Sequence, residues 1–268
     1  MKELKGKHAF VTAGTAGIGL AIVQELLKNG VNVSFFGRDE ARLEAATRSL
    51  EQIISDTSED AGKYMVKAID LGNLSEVESF YSKAESAFGP VQILVNNHGG
   101  PAAGKLLDVS EEAFLSAFEL IVHAAFKLSR LAVPGMKKAG WGRVINVLSL
   151  SAKESMPNMT LSNIYRPAAI GLAKSMAIEL AGDGITVNSI LPAAALTDRT
   201  MFFVNQRVEK ENKNAEEIIK EIEKTLPVGR LAMPEEFGKL AAYLCSDAAG
   251  YITGNVISMD GGLSKTIF

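Results

Sequence analysis

The seven residues Ala13-Gly14-Thr15-Ala16-Gly17-Ile18-Gly19 offer chemistry through their backbone more than through their side chains. Glycines let main-chain N–H groups come close to a ligand oxygen, and a helix starting there adds the positive end of its dipole, so the segment suits a pyrophosphate. A plain tight turn would use glycine too, and the flanks decide between the two readings. His8 to Thr12 forms a short, mainly apolar run before the segment, while Leu20, Ile22, Val23, Leu26 and Leu27 recur at helical spacing after it. Strand, turn and helix in that order are the setting in which Gly14, Thr15, Gly17, Ile18 and Gly19 would hold a dinucleotide.

A second chemical signal lies at the end of the next apolar run, Val31 to Phe36, which closes as Phe35-Phe36-Gly37-Arg38. An acidic residue there would accept hydrogen bonds from a free ribose 2′-hydroxyl and repel a 2′-phosphate. Arg38 does the opposite, with charge-assisted phosphate contacts worth roughly 1.5–3 kcal/mol, so NADP(H) is favoured and NAD(H) stays possible. Asp39 weighs slightly against this, although it also reads as the cap of the following helix. Metal chemistry finds no support: Cys245 is the only cysteine and His8, His98 and His123 are scattered.

These residues need elements to carry them. Arg38 to Ile54 reads as an amphipathic helix, Tyr64 to Ile69 and Val91 to Val95 as strands, and about Leu74 to Ala87 as the helix between them. A long helical stretch from about Glu111 to Lys138, with a candidate kink at Pro134-Gly135, leads to a strand over Arg143 to Leu148. A second, from about Leu161 to Ala181, leads to a strand over Thr186 to Leu191; Pro167 implies that this helix is kinked or begins there. Arg207 to Lys224 is charged and predicts one exposed helix or an interrupted pair. A helix near Pro234 to Cys245 and a strand Val256 to Met259 close the chain. Strands that are apolar throughout, alternating with helices, predict a doubly wound α/β domain whose mostly parallel seven-stranded sheet is covered on both faces.

Composition narrows the class. With 268 residues, 47% of them hydrophobic, the chain supports one large core, and we read residues 1–268 as a single domain. A net charge of −3 without a long basic run speaks against nucleic acid or an anionic membrane as partner. The lone cysteine, the absence of an apolar signal core in the first residues and apolar stretches shorter than a membrane span all fit a cytoplasmic protein.

The order of these signals resembles the short-chain dehydrogenase/reductase family, most of all its 3-oxoacyl carrier-protein reductase-like branch. Thr12 to Gly19 resembles the family's Thr-Gly-x-x-x-Gly-x-Gly signature, with Ala13 at the usual first glycine. Asp70-Leu71, Asn96-Asn97-His98-Gly99, Asn188 to Pro192, Thr253-Gly254 and Asp260-Gly261-Gly262 follow in the family's order over nearly the whole chain. By that resemblance Asp70 would hold the adenine amino group, Asn96 with Gly99 would line the adenosine ribose and the nicotinamide side, Thr197 would meet the carboxamide, and Leu71 and Pro192 would also belong to the cofactor site. Asp70 as a helix cap and Asn96 as a strand-end partner are the structural alternatives.

The family's catalytic set is an Asn, a Ser and a Tyr-x-x-x-Lys pair on one helix face. Gly142 to Ser149 resembles the approach to the Ser, which places Ser149 in that role. Counting back from Gly171 in the resembling segment Gly171 to Leu180 puts Arg166 at the Lys position and Ser162 at the Tyr position; Ile121 stands for the Asn. Ser162 is a far weaker acid than tyrosine, with its pKa of about 10, and Arg166 can hold a ribose but is no copy of a compact ammonium. Proton transfer, typically worth about 10²–10⁴-fold, would need another donor. Tyr165, His98, His123 and Lys153 are the candidates; packing is the simpler account of Tyr165, helix surface of His123 and solvent of Lys153.

Residues 197–226, the most charged segment, correspond to the part that closes over substrate in this family. Met201, Phe202 and Phe203 could line its inner face opposite Met156 and Met159, or pack in a core. The helical stretches Glu111 to Lys138 and Leu161 to Ala181 resemble the pair that makes such proteins homodimers or homotetramers. Two functions follow: an NADP(H)-dependent oxidoreductase acting on a small-molecule carbonyl or secondary alcohol with a rearranged proton donor, or an NADP(H)-binding redox sensor or partner subunit with little turnover.

Overall fold

A computed structural model describes residues 1–57 and 61–267. Seven strands form one sheet: β1 (His8–Val11), β2 (Asn32–Gly37), β3 (Tyr64–Ala68), β4 (Ile93–Asn96), β5 (Gly142–Val147), β6 (Ile185–Pro192) and β7 (Val256–Met259). Their order is β3-β2-β1-β4-β5-β6-β7, and every neighbouring pair runs parallel, for example Ala9 beside both Val33 and Ile93. The central strands β1, β4, β5 and β6 are buried along their length, which is why apolar residues predominate on both of their faces. Between β1 and β4 the winding reverses, and in such sheets ligands bind outside the carboxyl ends of the strands at that crevice.

Helices cover both faces. On one, α1 (Gly17–Lys28), α2 (Glu40–Thr57) and α9 (Pro234–Cys245) bury Ile22, Leu26, Leu50 and Phe237 against Val11, Phe35 and Ile145. On the other, α3 (Leu74–Phe88), α5 (Ala124–Ala139) and α6 (Thr160–Leu180) bury Phe80, Leu128, Met136 and Ala177 against Phe10, Leu94 and Val187. The remaining helices are α4 (Glu111–Phe118), α7 (Asp198–Glu211) and α8 (Ala215–Thr225). Local signals set several starts: Asn73, Ser110 and Thr197 accept from backbone N–H groups of α3, α4 and α7, and Asn214 and Glu217 form a capping box on α8.

Three details sharpen or correct the sequence reading. α6 neither begins nor ends at Pro167 but runs through it; Pro167 is exposed, so the carbonyl that loses its partner can turn to water. α5 likewise continues through Pro134, and the Glu111 to Lys138 stretch is instead interrupted earlier, by a π-helical turn at Glu119–His123. The charged segment is two helices, α7 and α8, and the first begins at Asp198, well before Arg207. Arg207 of α7 bonds Glu221 of α8 at 2.5 Å, and Lys213 in the turn bonds the same carboxylate at 2.5 Å, which clasps the pair. No helix of the described residues is long and apolar enough to cross a membrane.

Candidate active site

The turn after β1 is pinned from both sides. Gly14 N–H donates to the Phe36 carbonyl at 2.9 Å, and Asn97 Nδ2 donates to the Ala13 carbonyl at 3.0 Å. Thr12 Oγ1 donates to the Asn97 carbonyl at 2.5 Å and accepts from the Asn97 N–H at 2.8 Å. The backbone that results leaves no space for side chains. A Cβ on Gly19 would lie 2.3 Å from the Ala13 carbonyl oxygen, and one on Gly37 would lie 2.1 Å from Thr15 Oγ1. Gly17 adopts φ +52°, and a Cβ there would come within 3.3 Å of Thr197. Gly14, Thr15, Gly17, Ile18 and Gly19 therefore form a bare cradle at the start of α1, with Thr197 leaning on it from α7. Ala13 itself is held at φ +47°, the left-handed region that a glycine would occupy without strain.

At the end of β2, Arg38 is exposed, and Asp39 caps α2 by accepting from the Arg42 N–H at 2.9 Å. Arg42, one helical turn beyond, reaches Asp198 at the start of α7 at 3.2 Å, so a second guanidinium lies on this side of the cleft. Asp70 is exposed and accepts the Gly72 N–H at 2.8 Å, while Asn73, not Asp70, caps α3; Asp70 keeps one carboxylate oxygen free of hydrogen bonds among the described residues. Leu71 is buried and shares a narrow cavity with Thr12, Asn96, His98 and Ile121. Asn96 Nδ2 donates to Asn146 Oδ1 on β5 at 2.9 Å, leaving Asn96 Oδ1 buried and without a partner. Pro192 ends β6, paired in register with Met259.

The five candidate catalytic side chains, Ser149, Ser162, Arg166, Tyr165 and His98, are not all brought together. Ser162 and Arg166 do meet: both are buried on α6, and Arg166 Nε lies 3.4 Å from Ser162 Oγ, as residues four apart on a helix face should. Arg166 Nη1 is buried without a partner. Burial, and secondarily the charge of Arg199, lower the Arg166 pKa to about 10, so it remains a cation at neutral pH. Ser149 lies after β5, half-buried, where its Oγ accepts the Ser151 N–H at 3.3 Å. Tyr165 faces elsewhere: its ring packs on Phe114 and Phe118, centroids 5.1 and 6.0 Å away, in an apolar cluster with Leu161, Leu148 and Leu191. Packing, the simpler account from the sequence, is what these contacts show for Tyr165, and they leave the proton-donor alternative for it without support.

His98 is corrected in a different way. Its Nδ1 lies 2.8 Å from the Gly99 carbonyl, which requires a hydrogen on Nδ1 and leaves Nε2 a bare acceptor, shielded from solvent and unpartnered. Burial first, and then the nearby Arg166 charge, push its pKa down to about 3, so it cannot serve as a charged proton donor near neutrality. His123 stacks on Phe118 with centroids 6.1 Å apart, and Lys153 is exposed. Ile121, within the π-helical turn, puts an apolar side chain in the cavity. Of the proposed lid residues, Phe202 is exposed and Met201 and Phe203 are half-buried, while Val204 takes the core position of α7.

Sequence reasoning passed over Asn97, Asn146 and Arg199. Asn146 had a readable signal, a polar residue set between the apolar residues Val144, Ile145 and Val147. Arg199 had none: it sits in a charged helix, and only the fold brings its Nη2 to the Pro101 carbonyl at 2.9 Å. A cradle that a Cβ would fill and the orphaned Asn96 Oδ1 and Arg166 Nη1 fit a dinucleotide; no group of His, Cys, Asp and Glu among the described residues is arranged to hold a metal ion.

Comparison with known proteins agrees with this geometry. The family profile described as Enoyl-(Acyl carrier protein) reductase matches residues 12–264. The chain is 32% identical to Dehydrogenase/reductase SDR family member 4 of Caenorhabditis elegans, over 99% of this chain and 98% of that one. It is 34% identical to D-beta-hydroxybutyrate dehydrogenase of Cupriavidus necator, over 97% and 98% of the two chains. Among solved structures, L-sorbose reductase from Gluconobacter frateurii, complexed with NADPH and L-sorbose, superposes with a TM-score of 0.91 at 30% identity over 98% of each chain.

Proposed function

The chain belongs to the short-chain dehydrogenase/reductase family, and from that premise we propose that it is an NADP(H)-dependent oxidoreductase acting on a carbonyl or secondary alcohol, with Ser162, Arg166 and Ile121 in place of the family's Tyr, Lys and Asn. One observation carries the reading: the glycine turn over residues 14–19, in which Gly14, Gly17 and Gly19 leave the backbone bare, placed at the switch between β1 and β4 with Arg38 at the end of β2. The relative solved with NADPH supports the choice of cofactor. Bound there, the nicotinamide supplies or takes a hydride.

The chain's own residues do the rest. Amides of the turn and the α1 N-terminus bind the pyrophosphate, Arg38 the 2′-phosphate, and Asn96 Oδ1 a ribose hydroxyl. Ser149 orients the reacting oxygen. Arg166, fixed by Ser162, directs Nη1 toward the ribose or the oxygen and stabilises negative charge that develops on it, as a preorganised cation does. With Ser162 too weak an acid and His98 neutral, the proton comes from solvent. Exposed Phe118, Phe126, Leu131, Ile164 and Ile178 on α4, α5 and α6 support self-association through these helices, as a homodimer or homotetramer.

A screen of ketones, 3-oxo thioesters, sugars and secondary alcohols with NADPH or NADP⁺, followed at the nicotinamide absorbance, tests the reading, with turnover expected for at least one class. A second reading, a nucleotide-binding protein without turnover, is favoured by Ser162 where a tyrosine hydroxyl would be. Saturable nucleotide binding with no turnover across the screen would select it.

A further inference from the structure

A cavity of about 260 Å³ opens at the edge of the sheet, where α8 ends and α9 begins against the close of β7. The small side chains of Ala194 and Ala232 leave the space. There the loop that follows β6 meets the loop before α9, with Ala232 N–H donating to the Ala194 carbonyl at 3.0 Å and Leu196 N–H to the Ala232 carbonyl at 2.8 Å. Leu226, Val228 and Met259 supply apolar wall. That wall is held in place: Val228 N–H donates to the Gly261 carbonyl at 3.1 Å, and a Cβ on Gly261, itself at φ +60°, would lie 2.5 Å from Val228 Cγ1. The cavity shares no lining residue with the narrow one beside Leu71, and β7 stands four strand spacings, roughly 19 Å, from β1 and the cradle.

All but one of its polar side chains are already bonded. Arg230 gives Nη1 to Glu236 Oε2 at 2.7 Å and Nη2 to Oε1 at 2.8 Å, a bidentate pair that cancels its own charge. Asp260 accepts the Gly262 N–H on one oxygen at 3.0 Å and the Ser264 N–H on the other at 3.1 Å. Ser258 is the exception. It stands in β7 between Ile257 and Met259, opposite Leu191, and its Oγ is shielded from solvent with no partner among the described residues. A buried hydroxyl left unbonded costs about 1–3 kcal/mol, and a ligand oxygen that bonds it removes that cost. An ion brought here would lose its hydration and find the charged side chains already satisfied.

We propose that this cavity is a second small-molecule site, separate from the dinucleotide cleft, for a neutral, compact molecule whose apolar body carries one hydroxyl or carbonyl oxygen within reach of Ser258 Oγ. The volume sets the size: an apolar cavity of about 150 Å³ accepts benzene, so this one has room for a single ring with a short arm. The assignment is independent of the oxidoreductase reading, and its failure would leave that reading as it stands.

The probes are phenethyl alcohol, ethylbenzene, phenylacetate and phenethylammonium, one shape carrying a neutral hydroxyl, no polar group, a negative charge or a positive charge. Binding is followed by ligand-observed NMR at neutral pH and fixed ionic strength for the wild type, Ser258→Ala and Ala232→Leu, and NADPH affinity is measured by calorimetry for each. We expect phenethyl alcohol to bind at least threefold more tightly than the other three. Ser258→Ala should bring it level with ethylbenzene. Ala232→Leu, whose longer side chain fills the space, should weaken both at least tenfold, and NADPH affinity should stay within twofold in each variant. No saturable binding by any probe, an ion binding as well as the alcohol, or an alcohol preference that survives in Ser258→Ala would overturn the proposal. So would a parallel loss of NADPH affinity, which would make the cavity part of the cofactor cleft. Probe affinity that falls as protein concentration rises would also overturn it, by giving the cavity to a second copy of the chain.

Discussion

Ala13 occupies φ +47° at the point where the chain leaves β1, a conformation that costs a Cβ-bearing residue about 1–2 kcal/mol and glycine almost nothing. Ala13→Gly should therefore stabilise the fold by about 0.5–1 kcal/mol, after allowing for the greater freedom of glycine in the unfolded chain, as read by urea denaturation. Unchanged or reduced stability would mean that the backbone there is not left-handed. His98 and His8 make a second residue-level prediction. Burial lowers both, His98 to about 3, whereas the unfolded chain binds a proton on each near pH 6.5. Below about pH 6.5 the unfolded state therefore takes up protons that the native state refuses. Stability should fall there, by up to about 1.4 kcal/mol per pH unit per histidine, and be unaffected by these groups above it. The depressed carboxylate Glu236 acts only below its ordinary value of 4.5, so the interval between belongs to the histidines. His98→Asn should reduce the slope by about one proton; an unaltered slope would contradict the burial argument.

At the level of elements, the β2 end and the β1 turn must touch for the cradle to exist, and Gly37 is where they do. Gly37→Ala puts a methyl 2.1 Å from Thr15 Oγ1, so Thr15 must rotate or the turn must move. NADPH affinity measured by calorimetry should fall at least tenfold, about 1.4 kcal/mol, and an affinity within twofold of wild type would show the contact to be dispensable. The elements themselves were largely legible: β1, β2 and β7 stand out as apolar runs, and α1 and α9 as periodic helices. The misreadings share one cause, that local rules were applied where packing prevails. Of the two readings of Pro167, a kink or a helix start, the start fails, because packing on both sides carries α6 through with Pro167 exposed. The π-helical turn at Glu119–His123 left no mark in an unbroken helical pattern.

At the scale of the whole molecule, parallel winding sets residues distant in the chain beyond the carboxyl ends of the strands, Arg38 after β2, Asn97 and His98 after β4, Ser149 after β5, Thr197 and Arg199 after β6. The glycine turn was readable because its chemistry lies in the backbone of one contiguous segment. The pairing of Ser162 with Arg166 followed from helical spacing. The cross-chain contacts, Asn97 on the turn and Arg199 on the loop after β4, were not readable, because they are made by topology rather than by any local pattern. Nucleotide binding at that cradle, with the 2′-phosphate read by Arg38, is tested most directly by calorimetric titration of wild type and Arg38→Ala with NADPH and NADH. Saturable binding is expected, with NADPH preferred at least tenfold and a preference that collapses in Arg38→Ala while NADH affinity changes little. No heat with either nucleotide at millimolar concentration, or a preference for NADH in the wild type, would contradict it.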